Sequence, residues 1–310
     1  MNQSIIRTMN LTRDFDKITA VDHLSLEIPS GIVFGFLGPN GSGKTTTIRL
    51  LLGLLEPTQG SASVLGFDTR SEAAQIREQT GALLEHTGLY ERLTAEDNLN
   101  FYGRVYHLPA AQRQARIHEL LENMGLWERR KEVVGNWSRG MKQKLAVARA
   151  LMHRPRLIFL DEPTAGLDPV ASAALREDLS RLANDSQVTI FLTTHNLTEA
   201  EKLCQQVAVI RAGKLLAVGK PEELRGRNDR PQVEIYGRGF TTHLQDQVRL
   251  NPQVKALRQQ NDHIVLEMAE KADVSLVISL LVVGGAQVEE VRKNRATLED
   301  IFLELVEDEK

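Results

Sequence analysis

The chain has 310 residues, enough for two domains on a prior of about 150 residues each, and its 42% hydrophobic and 25% charged residues are those of a soluble globular protein. Its 38 Lys plus Arg against 41 Asp plus Glu give a formal net charge of −3, which removes any global pull toward nucleic acid. The single Cys204 excludes an internal disulfide, the N-terminal stretch lacks the apolar core of a signal peptide, and no apolar run approaches the ~20 residues of a membrane span. In chain order, short apolar runs predict strands at 4–9, 21–28, 32–37, 61–64, 157–160, 188–193 and 207–211. Helical spacing predicts helices at 45–55, 110–124, 141–152, 171–184 and 197–205. This alternation is the mark of an α/β sheet wrapped by helices.

A short helix at 221–224 and a proline-rich, charged stretch close this region, so the expected domains are 1–224 and 231–310. Beyond it the pattern restarts with a strand at 233–236, a helix at 241–250 and strands at 254–259 and 264–268 around a turn at Asn261-Asp262. A helix at 274–283 and a strand at 286–292 complete a βαββαβ order, which predicts a small α+β, ferredoxin-like C-terminal domain. An amphipathic helix at 297–306 is expected last, with Leu298, Ile301, Phe302 and Leu305 on one face.

The most informative segment is Gly38-Pro39-Asn40-Gly41-Ser42-Gly43-Lys44-Thr45, followed by Thr46. It fits GxxxxGK[ST] and stands between a predicted buried strand and a predicted helix, the context that makes the pattern specific. Glycines let successive N–H groups turn inward around a triphosphate, and the helix start adds its positive dipole end. Lys44 can reach the β- and γ-phosphates, and the Thr45 hydroxyl can ligate Mg²⁺. The run Leu157-Ile158-Phe159-Leu160 ends in Asp161 and Glu162. An Asp at a strand end can hold Mg²⁺, and Glu162 beside it can polarise an attacking water. Ser138 is a good helix N-cap before Met141, Leu145, Ala148 and Leu151 at helical spacing, which alone reads as an ordinary capped helix.

Taken in order, the phosphate loop, Ser138-Arg139-Gly140-Met141-Lys142-Gln143, LIFLDEP, TAGLDP and TTH resemble the nucleotide-binding subunit of an ATP-binding cassette (ABC) transporter over residues 1 to about 220. The resemblance implies a P-loop NTPase cassette with a helical subdomain, ATP and Mg²⁺ as ligands, and a head-to-tail pair of cassettes, with a homodimer expected. In such a pair Ser138 and Gly140 would contact the γ-phosphate held by the opposite subunit, and Asp168 would lie at the dimer seam. His195 would bond the γ-phosphate and hold the attacking water, and Phe15 would stack on adenine, with a place in the core as the lesser alternative for Phe15. Two departures stand out. Glu85 occupies the place of the family's usual Gln, which touches Mg²⁺, water and the membrane subunit; a carboxylate can ligate or accept there but not donate. Trp137 and Arg139 replace the usual Leu and first Gly of the signature; Arg139 either adds charge to the closed site or faces solvent.

The variants at 85 and 137–141, and the ending Ala296-Thr297-Leu298-Glu299-Asp300-Ile301-Phe302-Leu303, resemble subunits serving drug, antibiotic, sodium or polysaccharide exporters. The implied protein is a cytoplasmic ATPase, peripheral on the inner face of the cell membrane, with a separate integral membrane permease and no nucleic-acid partner. Its alternatives are a soluble cassette ATPase acting on a macromolecule, as in repair or translation, and a nucleotide-gated regulatory subunit without turnover.

Overall fold

A computed structural model describes residues 4–186, 188–226, 232–260, 263–269 and 272–294. The turn expected at Asn261-Asp262 and the helix expected at 297–306 lie outside the described residues. The chain divides into two compact units, Met1–Lys220 and Pro221–Lys310.

The first unit is built on a six-stranded sheet in the order Lys214–Gly219, Gln206–Arg211, Val33–Leu37, Thr189–Thr194, Leu157–Asp161 and Thr80–Leu83. All neighbours pair in parallel except the antiparallel edge strand Lys214–Gly219. The central strands are continuous apolar runs because both faces of the sheet are covered. Phe34, Phe36, Phe159 and Phe191 are fully buried. Phe191 packs on the other three rings at 5.4–5.5 Å between centroids, which ties three adjacent strands together. Beside this sheet lies a four-stranded antiparallel one, ordered Ile18–Pro29, Ser4–Phe15, Gln59–Val64 and Phe67–Asp68. Its first two strands run longer than alternation predicts, because register shifts between Thr8 and Leu11 and again near Arg13 interrupt the pattern. Helices Ala95–Val105, Ala110–Asn123 and Arg139–Ala150 form a helical subdomain.

Three strands and two helices of this unit were not legible in advance. Thr80–Leu83 is four residues long and reads as neither period. Its Gly81 is required by packing: a Cβ there would sit 2.1 Å from the Ala150 carbonyl oxygen. Lys214–Gly219, Phe67–Asp68, Ala73–Gln79 and Ala95–Val105 are likewise elements beyond those that the sequence pattern predicts. The loop helix runs Lys44–Leu51 rather than to residue 55, because Gly53 at φ +62° leaves the helical region.

Where the helical subdomain meets the sheet, His153 stacks on Tyr106 at 3.9 Å, and its Nε2–H donates to the Thr80 carbonyl at 3.1 Å. Its Nδ1 is buried without a partner. Desolvation by burial pulls this imidazole down to about 4. Between that value and the ordinary ~6.5, the unfolded chain binds a proton that the folded chain refuses. Stability is therefore full above about pH 6.5 and falls as pH drops toward 4, by roughly 2 kcal/mol from this group. The expected result is that His153→Gln flattens this part of the pH dependence. Urea unfolding followed by the fluorescence of Trp127 and Trp137 at pH 7 and pH 4.5 measures it; an unchanged pH slope in the variant would exclude His153 as the cause.

In the second unit, four antiparallel strands take the order Val254–Gln260, His263–Met268, Gln232–Arg238 and Gln287–Asn294. Helices Thr242–Arg249 and Val274–Val283 cover one face, with Leu244, Val248, Val277 and Leu281 packed into the core. Numbered along the chain, the strand order is 2-3-1-4, the ferredoxin-like arrangement that the βαββαβ pattern predicts.

Candidate active site

The parallel register sets the chain exits side by side. Leu37 pairs with Thr194, Asp161 with Thr193 and Leu83 with Leu160. The segments after these strands, carrying Gly38, His195, Glu162 and Glu85, therefore leave the sheet at one edge, where ligands of open parallel sheets bind.

Two glycines of the loop from Gly38 to Gly43 fit their surroundings only without a side chain. A Cβ on Gly38 would lie 2.4 Å from the Ile210 carbonyl oxygen, and one on Gly43 2.2 Å from that of Ala20. Gly43 also has φ +102°, which L side chains rarely adopt. Within the loop Ser42 is 2% exposed, and its hydroxyl has no partner. Lys44 is buried, and its Nζ donates to the carbonyls of Gly38 at 2.7 Å and Pro39 at 3.0 Å. It also lies 3.1 Å from Oε1 of Glu162. Burying an ammonium costs several kcal/mol, which these three contacts offset.

Glu162 links this lysine to His195, whose Nδ1 is 2.9 Å from Glu162 Oε2. It sits at φ +47°, a strain of about 1 kcal/mol for a residue with a Cβ. Its N–H is held by the Thr193 hydroxyl at 2.9 Å and the Thr193 carbonyl at 3.2 Å, which offsets that strain. Asp161, also buried, accepts from the Thr45 hydroxyl at 2.6 Å and from the Thr193 hydroxyl at 2.5 Å. The Thr45 and Asp161 oxygens converge, which suits a hard cation such as Mg²⁺. The glycine cradle, the orphaned Ser42 hydroxyl and Lys44 suit a polyphosphate.

A cleft of about 680 Å³ opens here, a volume adequate for a nucleotide. Asn40, Gly41, Gly43, Lys44, Thr45 and Thr46 line it, facing Glu85, Asp161 and Glu162. Glu85 is half exposed and pairs with Arg49 on the loop helix at 3.2 Å. Thr19 and Ala20 form the opposite lip. Phe15, on the strand leading to that hairpin, is 40% exposed, with the Arg13 guanidinium 4.6 Å over its ring. It is a surface aromatic rather than a core residue, and it stands outside the cleft lining.

Ser138 caps its helix, its Oγ accepting from the Met141 N–H at 3.3 Å. Trp137 before it is buried and anchors the segment, an apolar role that suits a site where Leu is usual. Gly140 packs at van der Waals range against Ala171, where a Cβ would come within 2.9 Å. Asp168 caps the adjoining helix Pro169–Ser186 by accepting from the N–H groups of Val170 and Ala171 at 3.0 and 2.9 Å. Ser138, Gly140 and Asp168 thus stand together but do not line their own chain's cleft. Arg139 does line it, and its guanidinium lies over Gly166, 2.3 Å from where a Cβ would be.

Two parts of the site had no sequence signal. Thr193 binds both acids through one hydroxyl. Glu199 is buried and accepts from Thr164 at 2.6 Å and Arg176 at 2.8 Å. It fastens the segment after Glu162 to the helix after His195. Neither contact follows from spacing, because each joins residues more than twenty positions apart.

Residues 21–165 match the ABC transporter family, and residues 219–306 match the C-terminal domain of DrrA1-3-like ATP-binding proteins. The bacitracin transport ATP-binding protein of Bacillus licheniformis is 34% identical, over 98% of this chain and 97% of its own length. The Nod factor export ATP-binding protein I of Cupriavidus metallidurans is 37% identical over 97% of both chains. Among solved structures, cbiO1 of Clostridium perfringens, part of an ABC transporter complex, superposes with a TM-score of 0.68 at 25% identity, over 73% of this chain and 92% of that one.

Proposed function

The chain belongs to the ABC transporter family as an ATP-binding, ATP-hydrolysing subunit, and from that premise we propose how its residues divide the work and whom they serve. The loop N–H groups from Gly38 to Thr46 hold the phosphates, and Lys44 exchanges its two loop carbonyls for phosphate oxygens. Thr45 and Asp161 would hold Mg²⁺, and Glu85, which pairs with Arg49, would be a further oxygen for it. When bound, the ion neutralises charge on the β- and γ-phosphates. Glu162 accepts the proton of the attacking water, and His195 orients Glu162 and faces the γ-phosphate. Phe15 stacks on the adenine. The observation that carries this reading is the Lys44–Glu162–His195 chain beside the Thr45–Asp161 oxygen pair. A second copy completes the site: its Ser138 and Gly140 close over the γ-phosphate, and Asp168 lies at the seam. Catalysis is then positioning and electrostatics across a dimer that closes on ATP and opens after hydrolysis.

The partner is an integral membrane permease, met at the inner face of the cell membrane; no helix among the described residues is long and apolar enough to cross a bilayer. Its seat is the aromatic cluster that follows Glu85. Tyr90 and Phe101 are 46% and 41% exposed and pack edge to face at 4.9 Å, with Tyr102 5.3 Å from Phe101. Exposed aromatics clustered in this way are the composition of interface anchors. Outward transport is supported by the similarity to the Nod factor export protein. Phe101→Asp tests the reading. The purified subunit is expected to keep its ATPase rate within about twofold, while co-purification of the membrane subunit and transport are lost, since burying a charge at such an anchor costs several kcal/mol. Full transport by Phe101→Asp would remove the cluster from the docking surface.

A further inference from the structure

At the opposite edge of the six-stranded sheet, where Leu157 and Thr189 begin their strands, lies a cavity of about 590 Å³. Arg116, Arg154 and Arg156 line it with Ser30 and Thr189, and none of its described lining residues is acidic. Five residues of strand separate this edge from the one that carries Asp161, on the order of 15 Å, so the cavity is not part of the nucleotide cleft.

The arginines are poorly compensated. Arg116 is only 8% exposed; its Nη1 donates to Glu119 at 2.5 Å and its Nη2 to the Leu151 carbonyl at 2.8 Å. Its Nε has no partner. Arg154 donates to the same Glu119 at 2.9 Å, so one carboxylate serves two guanidiniums. No acceptor faces the side chain of Arg156 among the described residues, although its N–H and carbonyl are used by Gln79 and Thr189. Among the described side chains, three cations against one anion leave a local excess of two positive charges. The Thr189 hydroxyl accepts from the Gly31 N–H at 2.9 Å, which leaves its own O–H free to donate.

We propose that this cavity binds a phosphate group, carried by a small soluble phosphate ester or by a lipid headgroup. Guanidinium forks match phosphate oxygens bidentately, and a dianion balances the excess charge where a lone carboxylate leaves one arginine unmatched. The volume admits a phosphate with a small organic body. An occupant bridges the turn at Ser30-Gly31, which feeds the phosphate-loop strand, to residues 151–156, which join the signature helix to the Asp161 strand. The site goes beyond the nucleotide reading and does not depend on it.

The test uses the full chain saturated with Mg-ADP, so that the phosphate loop is already filled. One arm titrates inorganic phosphate and glycerol 3-phosphate by calorimetry. The other measures flotation with phosphatidylglycerol against phosphatidylcholine vesicles. The expected result is saturable binding in the soluble arm, or selective flotation with phosphatidylglycerol in the lipid arm, weakened at least tenfold by Arg156→Glu with ADP affinity unchanged. Arg116→Gln is expected to act in the same direction; because Arg116 is buried, the exposed Arg156→Glu decides the question if that variant does not fold. Absence of binding in both arms, or equal binding by Arg156→Glu, overturns the site.

Discussion

Glu162→Gln is expected to lower ATP turnover roughly 10²–10⁴-fold while ATP binding persists, the range that positioned general bases contribute. Each tenfold is about 1.4 kcal/mol of barrier, so the carboxylate is being asked for roughly 3–5 kcal/mol. Glutamine keeps the shape and can still accept from Lys44, which lies 3.1 Å from the native carboxylate. It cannot take a proton from water. It also removes a negative charge beside the phosphates, so nucleotide affinity is expected to hold or rise. With closure intact and hydrolysis blocked, ATP should trap dimers that size-exclusion chromatography separates from monomers. Turnover within about threefold of the parent would remove Glu162 from the role of base, and monomers alone in excess ATP would count against closure around the Ser138 segment of a second copy.

Lys44→Ala is expected to weaken ATP binding roughly 30- to 100-fold, from the loss of charge-assisted contacts worth about 2–3 kcal/mol. This side chain ties Gly38, Pro39 and Glu162 together. Its removal therefore also leaves Glu162 without its cation, and a melting curve without nucleotide must accompany the titration. A melting point within a few degrees of the parent, with affinity for a nonhydrolysable analogue lost, assigns the effect to phosphate contact. Unchanged affinity would discredit the loop as the triphosphate site.

Much of the site was legible because its segments are local. The glycine loop, the acids after Leu160 and the histidine after Thr194 each announce themselves by chemistry and by the apolar run before them. The first two strands of the antiparallel sheet, Ser4–Phe15 and Ile18–Pro29, read shorter in the sequence than they are, since register shifts break the alternation that marks them. Thr80–Leu83 escapes because four residues are too few to show a period, and its identity as a strand comes from pairing with Leu157–Leu160. Thr193 and Glu199 escaped for a different reason. A hydroxyl that binds two acids thirty residues away, or a carboxylate that pins another loop, leaves no trace in spacing.

By itself the chain's order of residues determined the chemistry on offer: which amides and ammonium could grip phosphate, which oxygens could hold a cation, which carboxylate could take a proton, and the βαββαβ order of the C-terminal unit. Only the tertiary structure decided that these groups meet, because parallel pairing aligns Leu37, Leu83, Asp161 and Thr194 at one edge while the intervening residues go to helices elsewhere. It alone decided that Phe15 is exposed, that Glu85 rests on Arg49 and that Arg139 folds over Gly166. It alone gathered Arg116, Arg154 and Arg156 at the far edge. Local patterns set what each segment can do, and long-range packing sets which segments face one another, since burial acts between residues far apart along the chain.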